Sequence, residues 1–251
     1  MAERVNADRA AKGLPPLAYE PALAEVARFH ASDMRTHRFF AHESPSSGSL
    51  DDRLAAAGFN ASTARENLAE APDVSQAQAG LLASPGHYAN IMAGDITHIG
   101  VGIVQGGVAD PDNLLFVQVF ASPLGAQSTA EAVADVMQKI NDARRLKGLG
   151  KLAELGLLTD IAQKHVEGLG DAIVREDLAE VAQATIHDVE VARARDVNAV
   201  TVAGSLLLHT SMYEAPAAAL DPGARTMGVA AAEGRDDKGR RAVIVLVVVG
   251  K

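Results

Sequence analysis

The first half of the chain alternates between hydrophobic patterns of helical and of strand period. In residues 20–36 apolar side chains recur at three- and four-residue spacing, which predicts a helix with one buried stripe. The stripe consists of Leu23, Val26, Ala27, His30 and Met34. Glycine and proline breaks delimit three further predicted helices over residues 5–12, 50–57 and 74–83. Two apolar runs, 98–105 and 114–120, flank the turn-rich GGVADPDN and predict a strand hairpin, followed by a linker over 122–128.

The second half repeats the order of the first. Sliding residues 5–30 by 135 positions onto residues 140–165 gives ten identities in twenty-six positions without a gap, where chance gives roughly two. A helix, a Gly-Leu turn, a second helix and a terminal hairpin then recur in the same order. We therefore expect two tandem copies of one domain, over residues 1–122 and 129–251. The alternative is a chance agreement between unrelated alanine- and leucine-rich helices.

The two copies differ in their polar segments. The second has no loop like FFAHESP, and a Pro/Ala-rich stretch, YEAPAAALDPG, stands where the first has GHYANI. REDLAE at 175–180 echoes RENLAE at 65–70 but lies closer to the preceding helix. We expect a degenerate second copy that keeps the scaffold and lacks the polar loops.

Composition narrows the functional classes. A net charge of −9 disfavours a nucleic-acid surface. The absence of cysteine excludes disulfides, thiolate metal sites and a cysteine nucleophile, so any metal would be held by His, Asp or Glu. No stretch approaches the ~20 apolar residues that span a membrane. The chain begins MAERVNADRA, without an apolar signal segment. A cytoplasmic protein and a secreted protein whose signal has been removed are both compatible with this start.

The stretch SPGHYANIM, at residues 84–92, combines helix-start residues with polar chemistry. Ser84 is a good N-cap residue, and Pro85 suits the first helical position. His87 then lies early in the helix, and Asn90 follows on the same face. The stretch therefore predicts a capped helix that presents His87.

Three segments carry a family resemblance: FFAHESP with His42, RENLAE with Glu66, and SPGHYANIM with His87. In this order and spacing, between VNADRAAKGLPPL and THIGVGIV, they make residues 5–121 resemble the CAP superfamily. That superfamily includes cysteine-rich secretory proteins, antigen-5 allergens and plant pathogenesis-related proteins, and the chain is most similar to its cysteine-free bacterial branch. The resemblance implies an α+β fold, a three-layer α-β-α sandwich with an antiparallel sheet.

The resemblance also implies a cleft lined by two histidines and two glutamates. The histidines correspond to His42 and His87, and Glu66 corresponds to the first glutamate. The second glutamate has no counterpart, because its place falls near Ser84 and residues 74–84 contain no carboxylate. An activity that needs all four residues is therefore disfavoured.

The chemistry of these three side chains leaves several roles open. Two neutral imidazoles, His42 and His87, can bind zinc or a similar divalent metal, and Glu66 can orient a histidine or complete the site. Without metal, a His–Glu pair can act as a general base. The structural alternative is that both histidines only tie loops to the sheet. His30 is expected to be a hydrogen-bonded core histidine, since His165 occupies its place in the copy without a cleft.

Four further polar residues are expected to serve the scaffold. Arg9 and Arg144 recur in both copies, which favours scaffold ion pairs. Asn67 and Asn90 are expected to bind backbone rather than substrate.

Two functions from different classes follow from the resemblance. The first is a binding or interaction module of a bacterial secreted or envelope protein, whose unknown ligand would be a lipid or a cell-envelope component. The alternative is a metal-dependent hydrolase of peptide or cell-wall material, in which metal at His42 and His87 activates water beside Glu66. A third interpretation is purely structural, with the second copy packed on the first or forming a dimer. The sequence leaves open whether the chain is an enzyme.

Overall fold

The computed structural model describes residues 1–125, 127–169, 175–192 and 197–251. The described chain divides into two compact units, Met1–Leu124 and Gly125–Lys251. Each unit contains one four-stranded sheet with helices packed against it. None of the described helices is both long and apolar enough to cross a membrane.

The N-terminal unit confirms the predicted helices and hairpin and adds two strands, at Ala18–Tyr19 and Ala61–Ala71. Its elements are α1 (Ala2–Ala10), β1 (Ala18–Tyr19), α2 (Pro21–His37), α3 (Leu50–Ala56), β2 (Ala61–Ala71), α4 (Val74–Ala83), α5 (Pro85–Ile91), β3 (His98–Gln105) and β4 (Leu114–Pro123). The sheet order is β1-β3-β4-β2. The three long strands are antiparallel, and the two-residue β1 joins β3 in parallel. The hydrophobic pattern predicted no strand where β2 lies.

The sheet of this unit is covered by helices on both faces. Side chains alternate along β4, so that Val117 and Val119 pack against α2, while Phe120 packs with α1 and α5 on the other face. The apolar stripe predicted for α2 is buried in the first of these cores. The predicted three-layer α-β-α sandwich is thus confirmed.

The C-terminal unit has the same sheet order as the first. Its elements are α6 (Thr129–Leu146), β5 (Ala153–Glu154), α7 (Gly156–Glu167), α8 (Arg175–Val191), β6 (Val200–Leu207), two 3₁₀ turns (Thr210–Met212 and Ala217–Leu220), β7 (Thr226–Arg235) and β8 (Arg241–Gly250). The order β5-β7-β8-β6 again places the short parallel strand at one edge. Two sheets of one topology fit two copies of one fold.

The echo between REDLAE and RENLAE does not correspond to matching structure. RENLAE lies within β2, whereas Arg175 begins α8. The strand that takes the sheet position of β2 is β6. The similar sequence does not determine the secondary structure here, because RENLAE enters the sheet after a turn and REDLAE begins a helix.

Candidate functional site

The centre of the candidate site is the buried carboxylate of Glu66, which β2 places opposite Val119 of β4. Oε1 accepts a hydrogen bond from His42 Nδ1 at 2.9 Å, and Oε2 accepts one from Arg53 Nη2 at 2.8 Å. The side chains of Glu66 and Arg53 are only 3% and 1% exposed. Water therefore screens this ion pair little, and both carboxylate oxygens are engaged.

His42 lies in the loop between α2 and α3, with its side chain 60% exposed. Because Glu66 accepts from Nδ1, the hydrogen of the neutral imidazole is held there and Nε2 keeps its lone pair. The hydrogen bond to Glu66 raises the pKa of His42, and partial burial opposes this rise. His42 is thus an oriented imidazole that is readily protonated and accessible to a ligand.

The loop that carries His42 is anchored by Asp33 of α2. This buried carboxylate accepts hydrogen bonds from the hydroxyls of Ser44, Ser46 and Ser47 and from His37. Burial raises the pKa of Asp33, but these four donors more than offset that effect and lower it to about 2. The sequence analysis did not single out Asp33. The available signal was the serine-rich segment SPSSGS, which follows a helix that carries this acidic residue.

Arg53, on α3, is hydrogen-bonded to the same loop. Its Nη1 donates to the carbonyl oxygens of His42, at 3.2 Å, and Gly48, at 2.8 Å, while Nη2 holds Glu66. One buried guanidinium therefore joins the loop to the carboxylate that orients His42. Arg53 was not among the residues predicted from sequence.

His87 is the third residue of α5 and is half-buried. Asn67 Nδ2 donates to the His87 carbonyl at 3.1 Å, and Asn90 Nδ2 donates to the Glu66 carbonyl at 3.2 Å. Asn67 and Asn90 thus bind backbone, as expected, and are also hydrogen-bonded to each other. Burial lowers the pKa of His87, and the nearby His42 lowers it further. The two histidines are therefore close enough to interact electrostatically.

The start of α5 differs in one detail from the prediction. Pro85 occupies the first helical position, but within the described chain the Ser84 hydroxyl makes no capping hydrogen bond to α5. The first turn is instead closed by backbone, with Tyr88 N donating to Ser84 O.

His30 lies deeper in the site than its predicted role suggested. It is fully buried, its Nε2 is 3.0 Å from Ala41 O, and it is 3.8 Å from Glu66 Oε1. Its Nδ1 is buried and has no hydrogen-bond partner among the described residues. His30 is a core histidine as predicted, but only one of its nitrogens is satisfied. Burial lowers its pKa, so the ring is held neutral beneath Glu66.

A mainly apolar cavity of about 570 Å³ adjoins His87. Its walls come from β2, α4 and the β3–β4 turn, and include Leu68, Ala77, Gly80, Leu81 and Ser84. Glu70 also lines it, but this carboxylate accepts hydrogen bonds from the backbone N–H groups of Val108, Ala109 and Asp110. The wall near Ser84, where the resemblance implies a second glutamate, includes Gly80 and Leu81.

A divalent metal requires more donors than this site presents. Within the described residues, no group of three or more His, Asp or Glu side chains is arranged to hold a metal ion. Glu66 is engaged by His42 and Arg53, so His42 and His87 supply at most two protein ligands. Protein zinc sites use three or four, and these residues do not fit a complete metal site.

Comparison with known proteins covers the N-terminal unit. The sequence model of the cysteine-rich secretory protein family, CAP, matches residues 2–120. The uncharacterized protein YkwD of Bacillus subtilis (strain 168) is 37% identical over 106 residues, which are 42% of this chain and 41% of YkwD. The uncharacterized membrane protein YlbC of the same organism is 38% identical over 99 residues, 39% of this chain and 29% of YlbC. The chain thus spans less than half the length of these relatives.

Solved structures are similar over about half of the chain. One is an extracellular protein containing a SCP domain from Bacillus anthracis, with a TM-score of 0.43, 33% identity, and coverage of 47% of this chain and 37% of that one. Another is an outer surface protein of Borrelia burgdorferi, with a TM-score of 0.43, 22% identity, and coverage of 49% and 90%. The family match encloses the His42, Glu66 and His87 segments in their expected order, and the N-terminal unit of this chain belongs to the CAP superfamily, in its cysteine-free bacterial branch.

Proposed function

We propose that the chain is a binding module of a bacterial secreted or envelope protein, and that its ligand lies between His42 and His87 and extends into the adjoining cavity. The observation that carries this proposal is that His87, which interacts electrostatically with His42, lines a mainly apolar cavity of about 570 Å³. A pocket of this size with few polar groups at one end is typical of small-molecule sites.

The two histidines favour a ligand with an anionic or hydrogen-bond-accepting head and an apolar body. Glu66 raises the pKa of His42, so near neutral pH His42 carries more positive charge than His87, whose pKa is lowered. An imidazolium can donate to a carboxylate head, while Ala77 and Gly80 on α4 leave room for a hydrocarbon chain. A lipid or another amphipathic envelope component has this chemistry.

Binding is favoured over metal-dependent hydrolysis by the state of Glu66. A carboxylate that already pairs with Arg53 and His42 is poorly suited to act as a metal ligand or as the base that activates water. The metal-dependent hydrolase remains the alternative outcome of the following experiment.

The test uses laurate and zinc as separate probes in isothermal titration calorimetry. We expect the wild-type chain to bind laurate, Gly80→Leu to abolish binding by filling the cavity, and the double variant His42→Ala, His87→Ala to weaken it by about tenfold or more. Ala79→Leu, on the same helix but outside the cavity lining, is the matched control. Equal laurate binding in all variants, or none in the wild type, would contradict the proposal. Micromolar zinc binding that the double variant loses would favour the hydrolase.

We also propose that residues 129–251 are a degenerate second copy without the cleft residues. Matched hydrogen bonds support this proposal: the Leu17 N–H donates to Asn6 Oδ1 and the Leu152 N–H donates to Asn141 Oδ1, at positions 135 apart. The N-terminal unit matches a family that is described as secretory, and this match supports a location of the protein at the cell exterior or in the envelope.

A further inference from the structure

We infer that Arg9, together with Asp8 beside it on α1, is a positioning residue for His87, because these two side chains hold the short helix α5 in place. The contacts are structural observations, and only their consequence for a ligand rests on the proposed function.

Arg9 binds the C-terminal end of α5 directly. Its Nη1 donates to Ile91 O at 2.7 Å and to Ala93 O at 2.8 Å, and its Nε donates to Pro15 O at 3.0 Å. The side chain is fully buried. The last carbonyls of a helix lack partners within it and carry partial negative charge, so a guanidinium there both satisfies and stabilises them. The expectation of a scaffold ion pair for Arg9 was therefore wrong, since its hydrogen bonds go to carbonyl oxygens.

Helix α5 needs external support. It has seven residues, and isolated helices shorter than about 12–15 residues are marginal in water. Among the described residues, the Ser84 hydroxyl makes no capping hydrogen bond to α5. The direction in which His87 points therefore depends on side chains from other elements that bind the α5 backbone.

Asp8 reaches α5 through a chain of side-chain amides. Gln78 Nε2 donates to Asp8 Oδ2 at 2.6 Å, Gln118 Nε2 donates to Gln78 Oε1, and Asn67 Nδ2 donates to Gln118 Oε1, the last two at 3.1 Å. Asn67 Nδ2 also donates to the carbonyl of His87. Because Asp8 accepts at one end of this chain, each amide in turn donates toward α1, and the direction of the chain is defined.

In the second unit Arg144 makes the corresponding hydrogen bonds, but the turn that it binds contains no histidine. Arg144 Nη1 donates to Ala219 O at 2.6 Å and to Asp221 O at 3.1 Å, and its Nε donates to Gly150 O at 2.6 Å. This arrangement repeats the fork of Arg9 on the 3₁₀ turn Ala217–Leu220. Arg144 thus offers a control that has the same chemistry and burial but supports no cleft.

The experiment compares Arg9→Lys with Arg144→Lys in the full chain at one fixed pH. Lysine keeps the charge, but its single nitrogen cannot bind Pro15 O together with the Ile91 and Ala93 carbonyls, as Nε and Nη1 of Arg9 do. Hydrogen exchange of the Tyr88 and Met92 amides should become about tenfold faster in Arg9→Lys, and the imidazole resonance of His87 should shift. The amides of Val117 and Val119 in β4 should keep their protection. Arg144→Lys should leave α5 and the His87 resonance unchanged.

Unchanged exchange and an unchanged His87 resonance in Arg9→Lys, or the same changes in Arg144→Lys, would overturn the inference. If Arg9→Lys does not fold, Asp8→Ala decides, with Glu3→Ala on the exposed side of α1 as its control. A shift of the His87 resonance in Asp8→Ala alone supports the inference, and no shift refutes it. Laurate affinity is measured on the same variants. Faster exchange in α5 with unaltered laurate affinity would retain the positioning role and count against the proposed function.

Discussion

At the scale of single residues, Glu66 links the chemistry of the cleft to the stability of the unit. Its carboxylate pairs with the buried Arg53, orients His42 and lies beside the neutral His30. Three groups that are distant in the chain therefore depend on one charge. A substitution that removes this charge should alter both the titration of His42 and the free energy of unfolding.

We predict that Glu66→Gln lowers the pKa of His42 toward its ordinary value and destabilises the N-terminal unit by about 3 kcal/mol. The loss follows because Arg53 would remain as an unpaired charge in a buried site. Titration of the His42 resonance by NMR and urea denaturation measure the two effects. Glu43→Gln, at the exposed neighbour of His42, is the control. A His42 pKa that stays raised in Glu66→Gln would show that the hydrogen bond does not cause the shift.

The His42–Glu66 pair should also give a defined pH dependence. The folded-state pKa of His42 is raised above its unfolded value of about 6.5. Its stabilising contribution is therefore fully present below the unfolded pKa and is lost as the pH rises through the folded pKa. The difference in free energy of unfolding between wild type and His42→Gln should shrink from pH 5.5 to pH 8. A difference that grows with pH would contradict the assignment.

At the scale of elements, the site is built from short segments that are held by more stable ones. Helix α3 begins with a capping box between Ser49 and Asp52, whereas α5 relies on Arg9, Asn67 and Asn90. The long helix α2 is held instead by its packing against the sheet. A Cβ at Gly100 of β3 would collide with the backbone of Leu23 and Ala24, so α2 packs closely because this position is glycine.

Two glycine substitutions should therefore have opposite effects. Gly80 lies inside α4, with open space where a Cβ would point, and Gly80→Ala should stabilise the unit by about 0.5–1 kcal/mol through helix propensity. Gly100→Ala should destabilise it by about 1–3 kcal/mol, because α2 must move away from β3. Urea denaturation measures both. A neutral Gly100→Ala would show that α2 does not need this close approach.

At the scale of the whole molecule, each hydrophobic cluster lies within one unit. The clusters around Val117 and Phe120 belong to residues 1–124, and those around Val245 and Ile244 belong to residues 125–251. Each unit therefore has its own core, which is the usual condition for independent folding.

We predict that residues 1–124 fold without the remainder of the chain. The fragment should melt cooperatively by circular dichroism, because its cores and the Glu66 network draw on no described residue beyond it. The His42 resonance should titrate as in the full chain. A fragment without a cooperative transition would indicate that the second unit supplies stability to the first, as the purely structural interpretation requires.

The sequence alone determined the helices and the hairpin of the N-terminal unit, the family and the order of the cleft residues. These features are local, since the stripe of α2 and the turn before β4 are encoded by residues a few positions apart. The family membership and the α-β-α fold that motif order implied are borne out. The position of β2 was missed because its sequence, ASTARENLAEA, is too polar for a strand pattern.

Only the tertiary structure decided how the site is held together. Glu66 meets Arg53 across 13 positions and His42 across 24, and Asn67 meets Gln118 across 51. Such pairs leave no periodic trace in the sequence, because they depend on where the sheet brings distant segments. For the same reason, the sequence could name His87 as a cleft residue, but only the fold showed that Arg9 and Asp8 hold the helix that carries it.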